Sequence, residues 1–279
     1  MPNILYPPPR PQSVGEILDS AFRIFGATLV TCLPLAILAV ILRQLPTIYA
    51  VVFLRSLTVA VWRDPVWWVL YLVAVLAAIV VTAAILLRQY AVATGHQPSA
   101  GSELGTGLRR LPGLVLYMIL FSLGLVVSMI PLGLAALFSG WTRIAVGVLA
   151  LLPACCFLLA VSSSWPLMMV ADMGALASLN ESARLTRGSW MRLTLIYTVA
   201  LALLLVLYTL SGVIAALFVA VAGRADLVMM TAVGGVVMII IGALGVPLYG
   251  ALMLAVLGDL LVRREGADLA QRIATPASP

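Results

Sequence analysis

The sequence predicts an all-α polytopic membrane protein, and three observations lead to that prediction. Of its 279 residues, 63% are apolar and only 9% are charged, whereas soluble domains contain about 45–50% apolar and about 25% charged residues. The mean hydropathy is +1.17. The apolar residues also form runs of the length that one membrane-spanning helix requires, about 20 residues. Together these features exclude a cytosolic protein, a disordered protein and a secreted disulfide-linked protein.

Six apolar runs predict six transmembrane helices. Their approximate limits are 26–42, 66–87, 113–138, 144–171, 193–222 and 228–257. Residues 43–65 contain several arginines and are too polar to span, so they form either an interfacial segment on the outer side or an extension of the first hairpin. The chain then divides into a disordered, proline-rich N-terminus (1–12), a six-helix transmembrane domain (13–260) and a cytoplasmic C-terminal tail (261–279).

The distribution of positive charge predicts the orientation of the chain. All 16 basic residues are arginine. With the N-terminus inside, 11 of them lie in inner segments, and the outer loops hold only Arg43, Arg55, Arg63, Arg143 and Arg224. This asymmetry predicts a multi-pass protein of the bacterial cytoplasmic (inner) membrane with both termini in the cytoplasm. The outer side then carries an aromatic belt formed by Trp62, Trp67, Trp68 and Tyr71.

Three short amphipathic segments precede the first, third and fifth spans, and we predict that they lie in the membrane plane on the cytoplasmic side. Each has apolar residues at helical spacing but is too charged to cross the bilayer. Ser13 and Glu16 have the spacing of a capping box at the start of the first segment. The apolar stripes of the other two segments are Leu104, Leu108, Leu111 and Val115, and Leu176, Leu179, Ala183 and Trp190. Their polar faces carry Glu103, Arg109 and Arg110, and Asn180, Glu181, Arg184 and Arg187.

The three segments align with one another on a glycine. Gly26, Gly113 and Gly188 are separated by 87 and 75 residues. Each spacing accommodates one in-plane helix and one transmembrane hairpin, which favours an architecture of three repeated units. In the alternative interpretation, the short helices are unrelated and only anchor the cytoplasmic face.

Two stretches of the chain resemble a known family. Residues 10–23 read RPQSVGEILDSAFR, and residues 179–190 read LNESARLTRGSW. Both resemble segments of the glycerophosphoryl diester phosphodiesterase membrane-domain family and of related bacterial six-helix membrane proteins of unknown role. The resemblance implies a membrane part that covers essentially the whole chain. In that family a separate soluble domain carries the catalysis; we expect no such domain here, and no catalytic residue is carried over.

Residues that could supply chemistry are sparse, so we predict no enzyme, no cofactor and no metal site. His96 is the single histidine and lies in a loop. Residues 162–164 are three serines without a nearby base, and we expect them to bond back to their helix or to pack between helices. Cys32, Cys155 and Cys156 lie in apolar runs, which predicts that they are buried.

Ionisable residues are absent from the predicted spans, which argues against an ion-coupled pump. Prolines do interrupt these spans, at Pro34, Pro131, Pro153, Pro166 and Pro247. Such prolines usually kink helices that remain well packed. In the alternative interpretation, Pro131, Pro166 and Pro247 frame a cavity for an apolar or lipid-like molecule.

The resulting functional prediction is a non-enzymatic integral membrane protein, an accessory or scaffold protein of the cell envelope. A small permease or lipid-handling transporter is the alternative. Each arginine near an anionic membrane surface contributes about 1 kcal/mol. Predicted contacts to headgroups or to a protein partner are Arg23, Arg109, Arg110, Arg184, Arg187 and Arg192. Membrane lipids, including anionic phospholipid, are the predicted partners, with a membrane or cytoplasmic protein as a further one and nucleic acid excluded.

Overall fold

The computed structural model describes residues 5–55, 59–135, 137–222 and 227–274. Every regular element in these ranges is helical, which confirms the all-α class. The α-helices are α1 (Val14–Val52), α2 (Pro65–Ala93), α3 (Ala100–Arg109), α4 (Leu111–Ala135), α5 (Gly140–Ala150), α6 (Leu152–Ala160), α7 (Ser164–Val170), α8 (Ala175–Thr186), α9 (Trp190–Ala222) and α10 (Leu227–Ala274). A short 3-10 helix, Val59–Arg63, precedes α2.

Six helical segments are long and apolar enough to cross a membrane, which confirms the predicted number of spans. They are Val14–Val52, Pro65–Ala93, Leu111–Ala135, Gly140–Val170, Trp190–Phe218 and Ala232–Arg264. The chain is therefore a multi-pass membrane protein. Helices α3 and α8 are the short helices that lie between spans, at the positions of the second and third amphipathic segments.

The first amphipathic segment differs from the prediction because it is not a separate helix. Helix α1 runs without interruption from Val14 through the first span to Val52. Its start is the predicted capping box: the Ser13 N–H donates to Glu16 Oε2 (2.7 Å), and the Glu16 N–H donates to Ser13 Oγ (3.4 Å). Residues 43–52 belong to this helix, so the second interpretation of residues 43–65, an extension of the first hairpin, applies as far as Val52.

The fourth span is broken into α5, α6 and α7. The breaks lie at Leu151 and at residues 161–163. Pro153 and Pro166 occupy the first turns of α6 and α7, where a missing N–H leaves no intrahelical bond unmade. The other kinking prolines lie inside continuous helices: Pro34 in α1, Pro131 in α4 and Pro247 in α10.

The chain forms two compact units, which are described separately below. Of the described residues, the first unit contains Leu5 and Tyr6, Leu18–Leu111 and Tyr197–Leu252. The second unit contains Pro7–Ile17, Pro112–Ile196 and the described residues from Met253 to Ala274.

Small side chains bring the helices of the first unit close together. Cys32 and Ala36 of α1 are buried against Ala84 and Ile85 of α2. Helix α10 approaches α1 at Gly242, where a Cβ atom would overlap Cγ2 of Val40. Close approach through small residues is the usual way in which membrane helices associate, because lipid provides no hydrophobic drive between them.

The prediction that the three cysteines are buried is correct for Cys32 only. Cys155 and Cys156 are exposed on α6. The physical reason is that the outer face of an apolar helix in a membrane protein contacts lipid, so a small apolar side chain is stable there without protein around it.

The described residues near both chain ends include hydrogen-bonded ones at the N-terminal side and helical ones at the C-terminal side. The Leu5 and Tyr6 N–H groups donate to the Ala93 carbonyl oxygen (2.8 and 3.1 Å), within the segment predicted to be disordered. Helix α10 continues to Ala274, so the predicted tail is helical to that residue. Residues 1–4, residues 275–279 and Arg224 of the predicted outer set lie outside the described residues.

Candidate functional site

A buried ion pair lies at the end of the second span. Arg88 Nε donates to Glu103 Oε2 at 2.8 Å, and the two side chains are only 11% and 7% exposed. Arg88 Nη1 also donates to the Thr31 carbonyl oxygen (2.6 Å), and Glu103 Oε1 accepts from the Ser99 N–H (3.1 Å). The pair therefore connects α1, α2 and α3 of the first unit.

The buried and exposed faces of α3 differ from those predicted from the sequence. The sequence places Glu103 on the polar face and Leu108 in the buried stripe, but Glu103 is buried and Leu108 is 63% exposed. The physical reason is that an unpaired arginine in an apolar region costs several kcal/mol, more than burying one leucine gains. The predicted span ends one residue before Arg88, whereas α2 continues to Ala93 because Glu103 and Thr31 satisfy the guanidinium.

Gln89 is a second buried polar residue that the sequence did not indicate. Its Nε2 donates to the Pro247 carbonyl oxygen (2.6 Å), which joins α2 to α10. A Cβ atom at Gly250 would overlap Gln89 Oε1. Glycine at position 250 is therefore what allows the amide to reach the α10 backbone.

The first unit also contains an apolar groove between α1, α9 and α10, beside Pro247. Its cavity volume is only about 30 Å³, and it is open on one side. Its walls include Leu18, Phe22, Ala200, Leu248 and Tyr249. None of the described residues that line this groove is a serine or a threonine, so the groove suits an apolar chain better than a polar solute.

In the second unit, α8 packs against the second break in the fourth span. The Ser182 hydroxyl donates to the Ala160 carbonyl oxygen (2.7 Å) and accepts from the Ser163 N–H (3.1 Å). It thereby satisfies two of the backbone groups that the break leaves free. The Ser162 hydroxyl donates to the Leu159 carbonyl oxygen (2.8 Å). These contacts confirm that the three-serine stretch bonds back to the helix and packs between helices.

The buried face of α8 also differs from the predicted stripe. It consists of Ala175, Ser178, Ser182, Leu185 and Thr186, whereas Leu176 of the predicted stripe is 61% exposed. The spacing of Ser178, Ser182 and Thr186 at every fourth residue is the signal that was missed, because small hydroxyl side chains at that spacing form close helix contacts in membranes.

The opposite side of α8 is basic. Glu181 Oε1 accepts from Arg264 Nη1 (2.6 Å) and from Arg184 Nη2 (3.0 Å). Arg184 and Arg187 are both exposed. Since two guanidinium groups share one carboxylate, this surface retains a positive charge.

Among the acidic side chains of the second unit whose burial is described, Asp259 is the most buried, with only 2% exposed. Its Oδ2 lies 2.9 Å from both Arg192 Nη2 and Arg263 Nε. Its Oδ1 accepts from the Gln12 N–H (2.7 Å). The Gln12 carbonyl oxygen accepts in turn from Arg263 Nη2 (2.8 Å) and from Arg192 Nη2.

The predicted arginines therefore have different surroundings. In the first unit, Arg23 and Arg109 are exposed and Arg110 is partly exposed. In the second, Arg184 and Arg187 are exposed, while Arg192 is engaged by Asp259 and Gln12. The structure thus leaves Arg23, Arg109, Arg184 and Arg187 accessible to a partner.

His96 belongs to no metal-binding cluster among the described residues. His96 is exposed in its loop, with Nδ1 2.9 Å from the Thr94 hydroxyl. Among the described residues, no three His, Cys, Asp or Glu side chains are grouped so as to hold a metal ion.

The residues of the predicted aromatic belt contact one another. The Trp67 and Tyr71 rings are stacked with 5.2 Å between their centroids, and the Trp68 indole N–H donates to the Trp62 carbonyl oxygen (2.9 Å).

Comparisons of the chain with protein-family models, with curated proteins and with solved structures give no match. The resemblance to the glycerophosphoryl diester phosphodiesterase membrane-domain family therefore stays a prediction from the two short stretches.

Proposed function

We propose that this chain is a non-enzymatic accessory or scaffold protein of the bacterial inner membrane, with both termini in the cytoplasm and α8 at the cytoplasmic headgroup layer. One observation carries the proposal. The hydroxyl face of α8 is fixed to the break in the fourth span through Ser182, and this attachment leaves Arg184 and Arg187 exposed. The helix therefore presents a basic surface on a rigid support.

The exposed side of α8 has the chemistry of a membrane-interface helix. Leu176 and Arg184 are both exposed and lie about 80° apart around the helix axis, roughly two turns from each other. An apolar side chain and guanidinium groups on one exposed surface suit the boundary between acyl chains and anionic headgroups. Because Arg264 also neutralises Glu181, the charge of Arg184 remains available to a second anion.

The double substitution Arg184→Ala with Arg187→Ala is expected to weaken binding of anionic phospholipid. Two arginines at about 1 kcal/mol each give a change of roughly 2 kcal/mol, or about thirtyfold in affinity. The measurement is mass spectrometry of the lipids retained by the purified protein after extraction from membranes, with anionic and zwitterionic phospholipids quantified separately.

The matched control is Arg43→Ala with Arg143→Ala, which removes the same charge from two exposed arginines of the predicted outer side. This control should retain as much anionic lipid as the wild type. Equal retention by all three proteins would contradict the proposal. A co-purifying protein that is lost only from the Arg184→Ala, Arg187→Ala variant would instead identify the cytoplasmic partner that a scaffold requires.

A lipid-handling transporter is the second candidate, and the apolar groove of the first unit favours it. Its apolar walls and open side suit contact with one acyl chain along the groove. In proteoliposomes, we expect the protein to accelerate transbilayer movement of a fluorescent phospholipid, and Ala200→Trp, which fills the groove, to remove most of that acceleration. Ala202→Trp adds the same bulk on an exposed part of α9 outside the groove and should have little effect. Equal rates with and without protein would eliminate this candidate.

A further inference from the structure

The peptide group of Gln12 is bound in the second unit by its backbone atoms. Its N–H donates to Asp259 Oδ1 at 2.7 Å. Its carbonyl oxygen accepts from Arg263 Nη2 at 2.8 Å and from Arg192 Nη2. Arg192, Asp259 and Arg263, here named the headgroup trio, therefore recognise a hydrogen-bond acceptor next to a donor. No feature of the glutamine side chain is needed for these contacts.

The charge of the trio does not match this neutral peptide group. Two guanidinium groups surround one carboxylate, so the trio has one formal positive charge in excess. The two guanidinium groups attract an anionic oxygen by a charge–charge interaction that the neutral carbonyl oxygen lacks. An anionic oxygen in the place of the Gln12 carbonyl would therefore be bound more tightly than the carbonyl is.

Asp259 restricts which anion can replace the peptide. Its carboxylate is almost completely buried and accepts the Gln12 N–H. If that donor left without replacement, a buried carboxylate oxygen would lose its partner, which is costly. The competing ligand must therefore carry a donor, either an ammonium or a hydroxyl group, close to its anionic oxygen.

A narrow, mostly apolar crevice with no free volume for a water molecule lies beside the trio. Its walls combine Arg192 and Asp259 with Ile17, Leu193, Ile196 and Val256. A ligand that binds the trio with charged groups would therefore lie next to apolar side chains. Phospholipids have charged groups next to an apolar part, and the chain spans a membrane that supplies them.

We propose that the headgroup trio is a binding site for a phosphodiester that carries a neighbouring donor, as in phosphatidylethanolamine or phosphatidylglycerol, and that the N-terminal segment at Gln12 occupies this site in the structure. The phosphodiester oxygen accepts from Arg192 and Arg263. The ethanolamine ammonium or the glycerol hydroxyl donates to Asp259. Phosphatidylcholine has the phosphodiester but no donor, so it is excluded. This site uses other residues than the basic surface of α8.

The test compares two substitutions of one residue. Gln12→Pro removes the N–H that binds Asp259 and keeps the carbonyl, whereas Gln12→Ala keeps both backbone groups. Because a hydrogen bond to a charged group is lost only in the first variant, Gln12→Pro should retain phosphatidylethanolamine and phosphatidylglycerol roughly tenfold better than Gln12→Ala. Lipid retention is measured by native mass spectrometry in micelles with one added phospholipid at a time, and phosphatidylcholine should show no gain.

A second variant and a soluble ligand complete the experiment. Gln12→Pro combined with Arg263→Ala, which removes a partly exposed side chain, should lose the gain. Competition with glycerophosphoethanolamine distinguishes a site for the headgroup alone from one that also needs the acyl chains. Equal retention by the two Gln12 variants, an equal gain for phosphatidylcholine, or a gain that survives Arg263→Ala would each overturn the proposal. None of these outcomes depends on Arg184 and Arg187, so the proposed function is tested separately.

Discussion

Replacement of Glu103 by alanine is expected to lower the free energy of unfolding by about 3–5 kcal/mol, the usual cost of breaking a buried ion pair. The variant leaves Arg88 charged, 11% exposed and without its carboxylate. The Thr31 carbonyl oxygen alone cannot neutralise a guanidinium group. The measurement is reversible unfolding in mixed micelles with increasing SDS, followed by circular dichroism.

Two further variants separate this effect from a general loss of packing. Arg88→Met with Glu103→Leu replaces the pair by apolar side chains of similar length and should recover most of the stability, because no uncompensated charge remains. Arg10→Ala breaks an exposed ion pair with Glu16 at 2.7 Å and should cost less than about 1 kcal/mol. A loss for Glu103→Ala no larger than that for Arg10→Ala would show that the buried pair is not important for stability.

The substitution Gly242→Ala is expected to destabilise the protein by about 1–3 kcal/mol through overpacking. The added Cβ would overlap Cγ2 of Val40, whose branched side chain has one strongly preferred rotamer in a helix. Adding Val40→Ala makes room for the new methyl group. The double variant should therefore be more stable than the sum of the two single effects indicates, and the same SDS titration measures this coupling.

Gly212→Ala is the matched control for this substitution. A Cβ atom there has no neighbour within 4 Å, and the residue lies inside α9. Alanine at such a position should leave stability unchanged or raise it by about 0.5–1 kcal/mol, since glycine is the poorer helix former. If Gly242→Ala and Gly212→Ala change the stability equally, the result contradicts the close approach of α1 and α10 at Gly242.

Features that depend on nearby residues were predictable from the sequence. The six spans follow from the length of the apolar runs, because the transfer of each residue into lipid depends little on its partners. The Ser13–Glu16 capping box follows from a fixed spacing of three residues. The hydrogen bonding of Ser162 to Leu159 is similarly local, since the hydroxyl reaches a carbonyl in its own turn.

The candidate site was predictable only in part. Arg184 and Arg187 are exposed on a basic surface, as the polar face of the third segment indicated. The same segment gave no indication that Ser182 satisfies the backbone of the fourth span, because α6 and α8 are separate helices whose contact no periodicity encodes. Arg192 was assigned to the accessible set, but Asp259 and Gln12 engage it.

The sequence by itself determined that this protein is a helical membrane protein with six spans and a small set of arginines between them. The tertiary structure decided which polar side chains are buried. Asp259 and the Gln12 peptide group are 247 residues apart in the chain, and Arg88 meets Glu103 across a turn between two helices. The physical reason is that an apolar run is favourable in lipid whatever surrounds it, whereas a charge is stable there only when folding brings its partner within hydrogen-bond distance.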